Sequence, residues 1–161
     1  MPVRVRETGG YVTRWEEAMT IESILRRKGA DVTTITPEAS VKTAADWLRA
    51  KNIGALVVMS ENAVIGLVSE REIVDALSRH GEAAGSMLVK EIMQHGVSTV
   101  SPDETVNRVM NLMTHHRTRH LPVLRGGKLV GIVSIGDVVK HRLEDLELEA
   151  NILRDAYNAT R

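Results

Sequence analysis

The sequence predicts an α+β fold of two tandem β-α-β-β-α units with a C-terminal helix extension, and three observations predict it. A stretch of chain recurs at a constant offset. Within each copy the hydrophobic period changes in the same order. The apolar residues are almost all small aliphatics: the 161-residue chain is 43% hydrophobic but only 2% aromatic, with no Phe. Val, Ile, Leu, Ala and Met suit thin sheets with helices laid on them.

The recurrence is read directly. Val32-Thr33-Thr34-Ile35-Thr36-Pro37 matches Val97-Ser98-Thr99-Val100-Ser101-Pro102, and the two prolines set the offset at 65. Without a gap, that offset lays Leu56-Val57-Val58 on Leu121-Pro122-Val123 and Gly66-Leu67-Val68-Ser69 on Gly131-Ile132-Val133-Ser134. Upstream, Ile24-Leu25 resembles Ile92-Met93 at an offset of 68, so the first copy carries three extra residues before its first strand. A repeated unit of this size is a supersecondary module that buries its apolar face against its sibling.

Each element follows in order. A first strand ends at Thr34 and at Thr99, beside the Pro turn. Val41, Ala44, Ala45 and Leu48 then recur at helical spacing, as do Val106, Val109, Met110 and Met113. Two short β-branched runs come next, Ala55 to Met59 and Val64 to Val68, split by Ser60-Glu61-Asn62. Their counterparts, Leu121 to Leu124 and Leu129 to Val133, are split by Arg125-Gly126-Gly127-Lys128, so both read as strand, tight turn, strand. A closing helix starts near Ser69 and near Ser134, whose hydroxyls are placed as N-caps.

Composition excludes several classes of function. Lys plus Arg equals Asp plus Glu at 21 each, so no global field draws in a polyanion, and no nucleic-acid partner is expected. The absence of Cys removes disulfides and thiolate metal sites. No apolar run reaches the roughly 20 residues of a membrane span. A chain that is cytoplasmic and has no membrane partner is expected. His116 and His120 are four apart, but Pro122 and its strand argue against one helix carrying both, so no metal site is expected. There is no phosphate loop, Ser elbow or Cys nucleophile, and the chain is not expected to be an enzyme.

The element order, the unit length and the closing motif resemble CBS domains. That motif is Gly, two apolar residues, Ser or Thr, two variable residues, then Asp. Gly131-Ile132-Val133-Ser134-Ile135-Gly136-Asp137 fits it fully, and Gly66-Leu67-Val68-Ser69-Glu70-Arg71-Glu72 fits except for Glu72 in the Asp position. The resemblance covers roughly residues 20 to 145. It implies two CBS repeats packed by pseudo-twofold symmetry, with clefts between them that take adenosine nucleotides, and a pair that dimerises.

An adenosyl ligand needs an apolar slot for the base, a carboxylate for the ribose diol, and cations or donors for phosphate. Asp137 and Ser134 supply the ribose contacts in the second copy; their plain alternative is a capping pair without a ligand. Glu72 and Ser69 do so in the first, where Glu72 suits a capping box better. Arg71 offers a phosphate partner that the second copy lacks at the matching place. In the basic run His115-His116-Arg117-Thr118-Arg119-His120, the first three read as a solvated helix end. Arg119 and His120 read as phosphate contacts at the cleft rim. The resemblance assigns Thr34 and Thr99 to adenosine, although a Ser/Thr turn explains them nearly as well. Ala55 (with Leu56), Leu121 and Pro122 are expected to wall the base slot, or simply to pack the core.

The expected organisation is an N-terminal extension over 1–18, held loosely although Trp15 has a ring to pack. Repeat 1 spans 19–80, linker and repeat 2 span 81–145, and a helical tail spans 146–161. Leu143, Leu146, Ala150, Leu153 and Tyr157 step by three and four, a seam able to meet a second helix or its own domain. A regulatory sensor of adenine nucleotide is the expected function, with AMP, ADP or ATP as ligand and NAD(H) or S-adenosylmethionine sharing the same adenosine contacts. Energy sensing, a homodimer and a regulated protein partner belong to that expectation. Its alternative is a structural dimerisation or protein-interaction module with unoccupied clefts.

Overall fold

The computed structural model describes residues 20–159. Its elements run α1 (Ile21–Lys28), β1 (Thr34–Ile35), α2 (Val41–Lys51), β2 (Ala55–Ser60), β3 (Ala63–Ser69), α3 (Glu70–His80), a 3₁₀ segment (Gly81–Ser86), α4 (Val89–Ile92), α5 (Val106–His116), β4 (His120–Arg125), β5 (Lys128–Ser134) and α6 (Ile135–Ala159). The expected α+β order is present in both copies. The second copy's first strand is reduced to an isolated bridge at Val100.

The offset of 65 reaches into the backbone conformation. Ser40 caps α2 by accepting from the Thr43 N–H, and Thr105 caps α5 by accepting from the Arg108 N–H. Both helices end on a left-handed residue, Asn52 (φ 52°) and Arg117 (φ 51°). The hairpin turns correspond as well: Glu61 and Asn62 have φ of 49° and 65°, Gly126 and Gly127 have 56° and 79°. Two successive positive φ values are what a two-residue hairpin needs to match strand twist.

The first sheet has the order β1-β2-β3. β1 pairs parallel with β2 (Thr34↔Val57, Ile35↔Val58), and β2 pairs antiparallel with β3 from Ala55↔Ser69 to Ser60↔Ala63, with an irregularity at Val58/Met59. β4 and β5 form a two-stranded sheet. The expectation that Thr34 and Thr99 end a strand is corrected: Thr34 opens β1, and Thr99 lies outside any strand. The prolines that follow, Pro37 and Pro102, have no N–H to extend a ladder, so little room remains for a strand there.

The chain gathers into two compact units that cut across the repeats. Among the described residues, one comprises 30–99 and 121–132, the other 20–29, 100–120 and 133–159. The first buries Ile35, Val41, Ala44, Leu48, Leu56, Val58 and Val68 in one cluster, and Ala55, Val57 and Leu67 in another that Leu129 and Ile132 flank. In the second unit α1 and α5 pack on α6. Ile21, Ile24, Val106, Val109, Met113 and Val138 are buried there. α1 enters through two main-chain bonds, Ile21 N–H to Glu104 O (2.9 Å) and Glu22 N–H to Pro102 O (2.7 Å).

α6 is one continuous helix of 25 residues, with no break at position 145. No helix among the described residues is long and apolar enough to cross a membrane. The expected extension over 1–18, with Trp15, lies outside the described residues.

Candidate functional site

In the first unit the site is built where β3 turns into α3. Ser69 is the N-cap, extended at φ −124°, ψ 176°, and its register partner is Ala55 at the buried start of β2. The Ser69 N–H donates to Glu72 Oε2 at 2.9 Å, and the Ser69 hydroxyl donates to the same oxygen. Gln94 Nε2 donates to Glu72 Oε1 at 2.6 Å. Both carboxylate oxygens are therefore engaged. Glu72 has the extra methylene that lets it fold back onto its own N-cap, and it forms the capping box its length suggests.

Gly66 shows why the motif needs glycine. A Cβ there would lie 2.6 Å from Met93 Sδ and 2.7 Å from Gln94 O. The close approach lets Leu67 and Gln94 exchange main-chain bonds of 3.2 and 2.9 Å, which holds the Gln94 amide over Glu72. Arg71 is exposed beside Glu72, and Thr34 is exposed on β1.

The second unit gathers a different set. Ser134 N–H donates to Asp137 Oδ2 at 2.9 Å, and Asp137 N–H donates back to Ser134 Oγ at 3.1 Å. Lys28 Nζ reaches the same Oδ2 at 2.7 Å. Asp137 Oδ1 has no partner among the described residues. Partial burial alone would push this carboxyl up; the Lys28 ammonium and the Ser134 N–H outweigh it and hold the carboxyl below its ordinary range. Arg119 joins through its carbonyl, which accepts from the Ile135 N–H at 2.9 Å, so it lies where α6 begins, with its side chain exposed. His120 is half-buried at the start of β4. Leu121 and Pro122, buried in that strand, and the exposed Thr99 belong to the first unit instead.

The place that matches Arg71 is Gly136, so the second copy carries no cation there, and its carboxylate takes one from elsewhere. Lys28 supplies one from the end of α1, in the segment before the first repeat's strand. The run Arg26-Arg27-Lys28 before Gly29 was the visible signal, and only folding shows which of the three is used. Gln94 had no signal beyond its place after Ile92-Met93. His115, His116 and Arg117 are exposed at the end of α5, where Arg117 is the left-handed cap, so no helix carries His116 on to His120.

The structure also aligns a serine, a histidine and an aspartate. Ser23 Oγ is 2.8 Å from His141 Nε2, and His141 Nδ1 is 2.9 Å from Asp145 Oδ2. This line clamps α1 to α6. The Ser23 hydroxyl gives its hydrogen to Thr20 O at 2.6 Å, and His141 is only 3% exposed. The neighbouring N–H groups of Ile21 and Glu22 are taken by Glu104 O and Pro102 O, so they are not available to an oxyanion.

An open depression of about 580 Å³ lies on α2 and α3, lined by Leu48, Arg49, Asn52, Ile53 and Ile73. Gly54 and Glu70, chain neighbours of Ala55 and Ser69, also line it, but no expected site residue does.

Comparison with known proteins shows the family and the fold. The family profile for the CBS domain matches residues 21–79 and 89–144. The chain is 34% identical over 165 residues to a mitochondrial CBS domain-containing protein of Arabidopsis thaliana, covering 94% of this chain and 77% of that one. A CBS-domain containing protein from Agrobacterium tumefaciens has a crystal structure that superposes with a TM-score of 0.75 at 40% identity, over 78% of this chain and 94% of that chain. The CBS domain pair of protein MJ0100, solved with 5'-methylthioadenosine and S-adenosyl-L-methionine, superposes with a TM-score of 0.64 at 26% identity, over 75% of this chain and 93% of that chain.

Proposed function

The chain belongs to the CBS-domain family, and on that premise we propose that it is a non-catalytic regulatory module that binds an adenosine-containing nucleotide. The observation that carries the proposal is the cluster at the start of α6. A carboxylate oxygen of Asp137 that has no partner among the described residues stands beside an ammonium on Lys28, at a helix start whose Ile135 N–H donates to the carbonyl of the exposed Arg119. A ribose diol can donate to Oδ1, while Lys28 and Arg119 are cations for phosphate. The adenosyl ligands named for the related CBS pair support the same chemistry.

AMP, ADP or ATP is the proposed ligand, with NAD(H) and S-adenosylmethionine meeting the same adenosine requirements. Ala55 in the first copy, and Leu121 and Pro122 in the second, are proposed as apolar walls for the base, with Thr34 and Thr99 as the adenosine contacts of their respective copies. Ser69, Arg71 and Glu72 form the first-copy counterpart, and His120 is a second phosphate contact next to Arg119. The proposal includes a homodimer, a cytoplasmic location with access to the nucleotide pool, and a regulated protein that reads occupancy.

A thermal-shift panel tests it. A ligand at 100 times its dissociation constant stabilises by about 2.7 kcal/mol, a rise of several degrees. Adenosine ligands are expected to raise the melting temperature and guanosine ligands to do so less. No shift from any adenosine ligand at millimolar concentration overturns the reading. A second reading, a protein-interaction module with empty clefts, is favoured by one observation: both oxygens of Glu72 are already engaged. Native mass spectrometry of purified protein separates the two, because a retained nucleotide is seen as added mass.

A further inference from the structure

α6 is amphipathic in an inverted sense. The face it turns to its own unit is mostly polar around one buried aliphatic, Val138: Asp137 pairs with Lys28, His141 with Ser23, and Glu144 with Arg27 at 2.8 Å. The apolar face points away. Val139, Leu143, Leu146 and Leu153 are between 40% and 71% exposed. With Ala150 and Tyr157 these positions step 4, 3, 4, 3, 4 along the helix, the alternating a and d places of a heptad held for three repeats. A run of exposed aliphatics at this period is the seam of a helix pair. Leu148 and Ile152 are exposed but off that seam, continuing the line of Val138, His141 and Asp145.

The charges flanking the seam select its occupant. With Leu143 at a, Arg142 and Glu149 fall at g, and Glu147 and Arg154 at e. In a parallel, in-register pair of identical helices, each g residue faces the e residue five positions on in the partner. Arg142 then meets Glu147, and Glu149 meets Arg154, with opposite sign both times and twice over by symmetry. A full-length antiparallel pairing instead sets Glu147 against Glu147 and Glu149 against Glu149. Within one chain Arg142 approaches Glu149 only to 3.9 Å, longer than a hydrogen bond. The 25 residues of α6 span about 37 Å at 1.5 Å per residue, enough for all three heptads.

We infer that α6 is a dimerisation helix that pairs with α6 of a second copy as a parallel, in-register coiled coil. This deepens the homodimer part of the proposed function and does not depend on nucleotide.

Sedimentation of the full chain tests it with three variants. The wild type is expected to be a dimer at micromolar concentration. Leu146→Glu combined with Leu153→Glu is expected to weaken dimerisation by about 100-fold or more, because four charges enter one seam, while the exposed positions leave cooperative melting intact. Arg142→Glu alone is expected to weaken it by about 5-fold, and Arg142→Glu with Glu147→Arg to restore it. The chain has no cysteine, so a single Leu146→Cys reports cleanly: facing d positions in a parallel pair form an intermolecular disulfide. A dimer indifferent to the Leu146/Leu153 double variant overturns the seam and leaves the homodimer standing on another face. A wild-type monomer overturns both. If Leu146→Cys fails to cross-link to itself while the Leu146→Cys, Ala150→Cys double variant cross-links, the pairing is antiparallel and the inference is wrong.

Discussion

Asp137 and Glu72 occupy matching places in the two repeats, yet their surroundings separate their tasks. Glu72 spends both oxygens on Ser69 and Gln94, whereas Asp137 keeps Oδ1 available. Asp137→Ala is therefore expected to weaken adenosine nucleotide binding by about 1.5 to 3 kcal/mol, the loss for hydrogen bonds to a charged acceptor. Glu72→Ala is expected to cost less in binding but about 1 to 2 kcal/mol in folding, since it removes a cap and leaves Gln94 without its acceptor. Calorimetric titration and urea unfolding of both variants check this, and a larger binding loss in Glu72→Ala reverses the assignment. Because the Asp137 carboxyl is held below its ordinary value, its contribution to stability is full above the unfolded value of about 3.9 and is lost as pH falls through the lower native value. Lys28→Met is expected to raise the Asp137 pKa and move that loss to higher pH, as read by carboxyl NMR titration; an unmoved pKa breaks the link to Lys28.

Elements reveal where one copy does better than the other, so each repeat serves as a control for its sibling. The α2 cap has Asn52 in the left-handed region, a residue at ease there, while the α5 cap has Arg117 at the same φ. The β4-β5 turn uses Gly126-Gly127, while the β2-β3 turn asks Glu61 to hold φ 49°. Exchanging residues between copies should relieve the strain: Arg117→Asn and Glu61→Gly are each expected to stabilise by about 0.5 to 1 kcal/mol. A fall in the unfolding midpoint for either would mean that its side chain makes contacts worth more than the backbone cost. Gly66 is the opposite case. Ala there would press on a main-chain carbonyl at 2.7 Å, which cannot rotate away, so Gly66→Ala is expected to destabilise by about 1 to 3 kcal/mol. The same change should displace Gln94 from Glu72, so in the Glu72→Ala background its cost is expected to shrink; strict additivity in that cycle would uncouple the two.

At the scale of the whole molecule, each compact unit is held by contacts between segments far apart in sequence. α1 is short, 8 residues, and an isolated helix of that length does not persist in water. Its place is secured by the buried Ile21 and Ile24 and by Ser23 against His141, a pair separated by 118 positions. His141→Ala would remove the buried imidazole that meets Ser23 and lies 2.9 Å from Asp145, and is expected to destabilise by about 2 to 3 kcal/mol. Hydrogen exchange should show the loss first in α1; unchanged protection there, with a normal global unfolding free energy, would deny His141 its clamping role. The exposed seam of α6 belongs to this scale too, since Leu143, Leu146 and Leu153 remain exposed after the unit has formed.

Much of this was legible locally. Helical spacing at Val41-Ala44-Leu48 and Val106-Val109-Met113, the glycines and asparagine of the turns, and Ser69 and Ser134 as caps depend on neighbours within a few residues, and the doubled pattern reinforced each copy's reading with the other's. The capping role of Glu72 was visible in its length. The partners were not. Lys28 reaches Asp137 across 109 positions, and Gln94 reaches Glu72 across 22. Those meetings are set by how helices and strands pack, and a basic run such as Arg26-Arg27-Lys28 looks the same whichever member turns toward a carboxylate. The same holds for the division into units. A repeat is a property of the sequence, but the segments that share a core are chosen by which apolar faces remain uncovered once each element has formed, and here those faces draw α1 to α5 and α6 and place Leu129 and Ile132 beside Ala55, Val57 and Leu67.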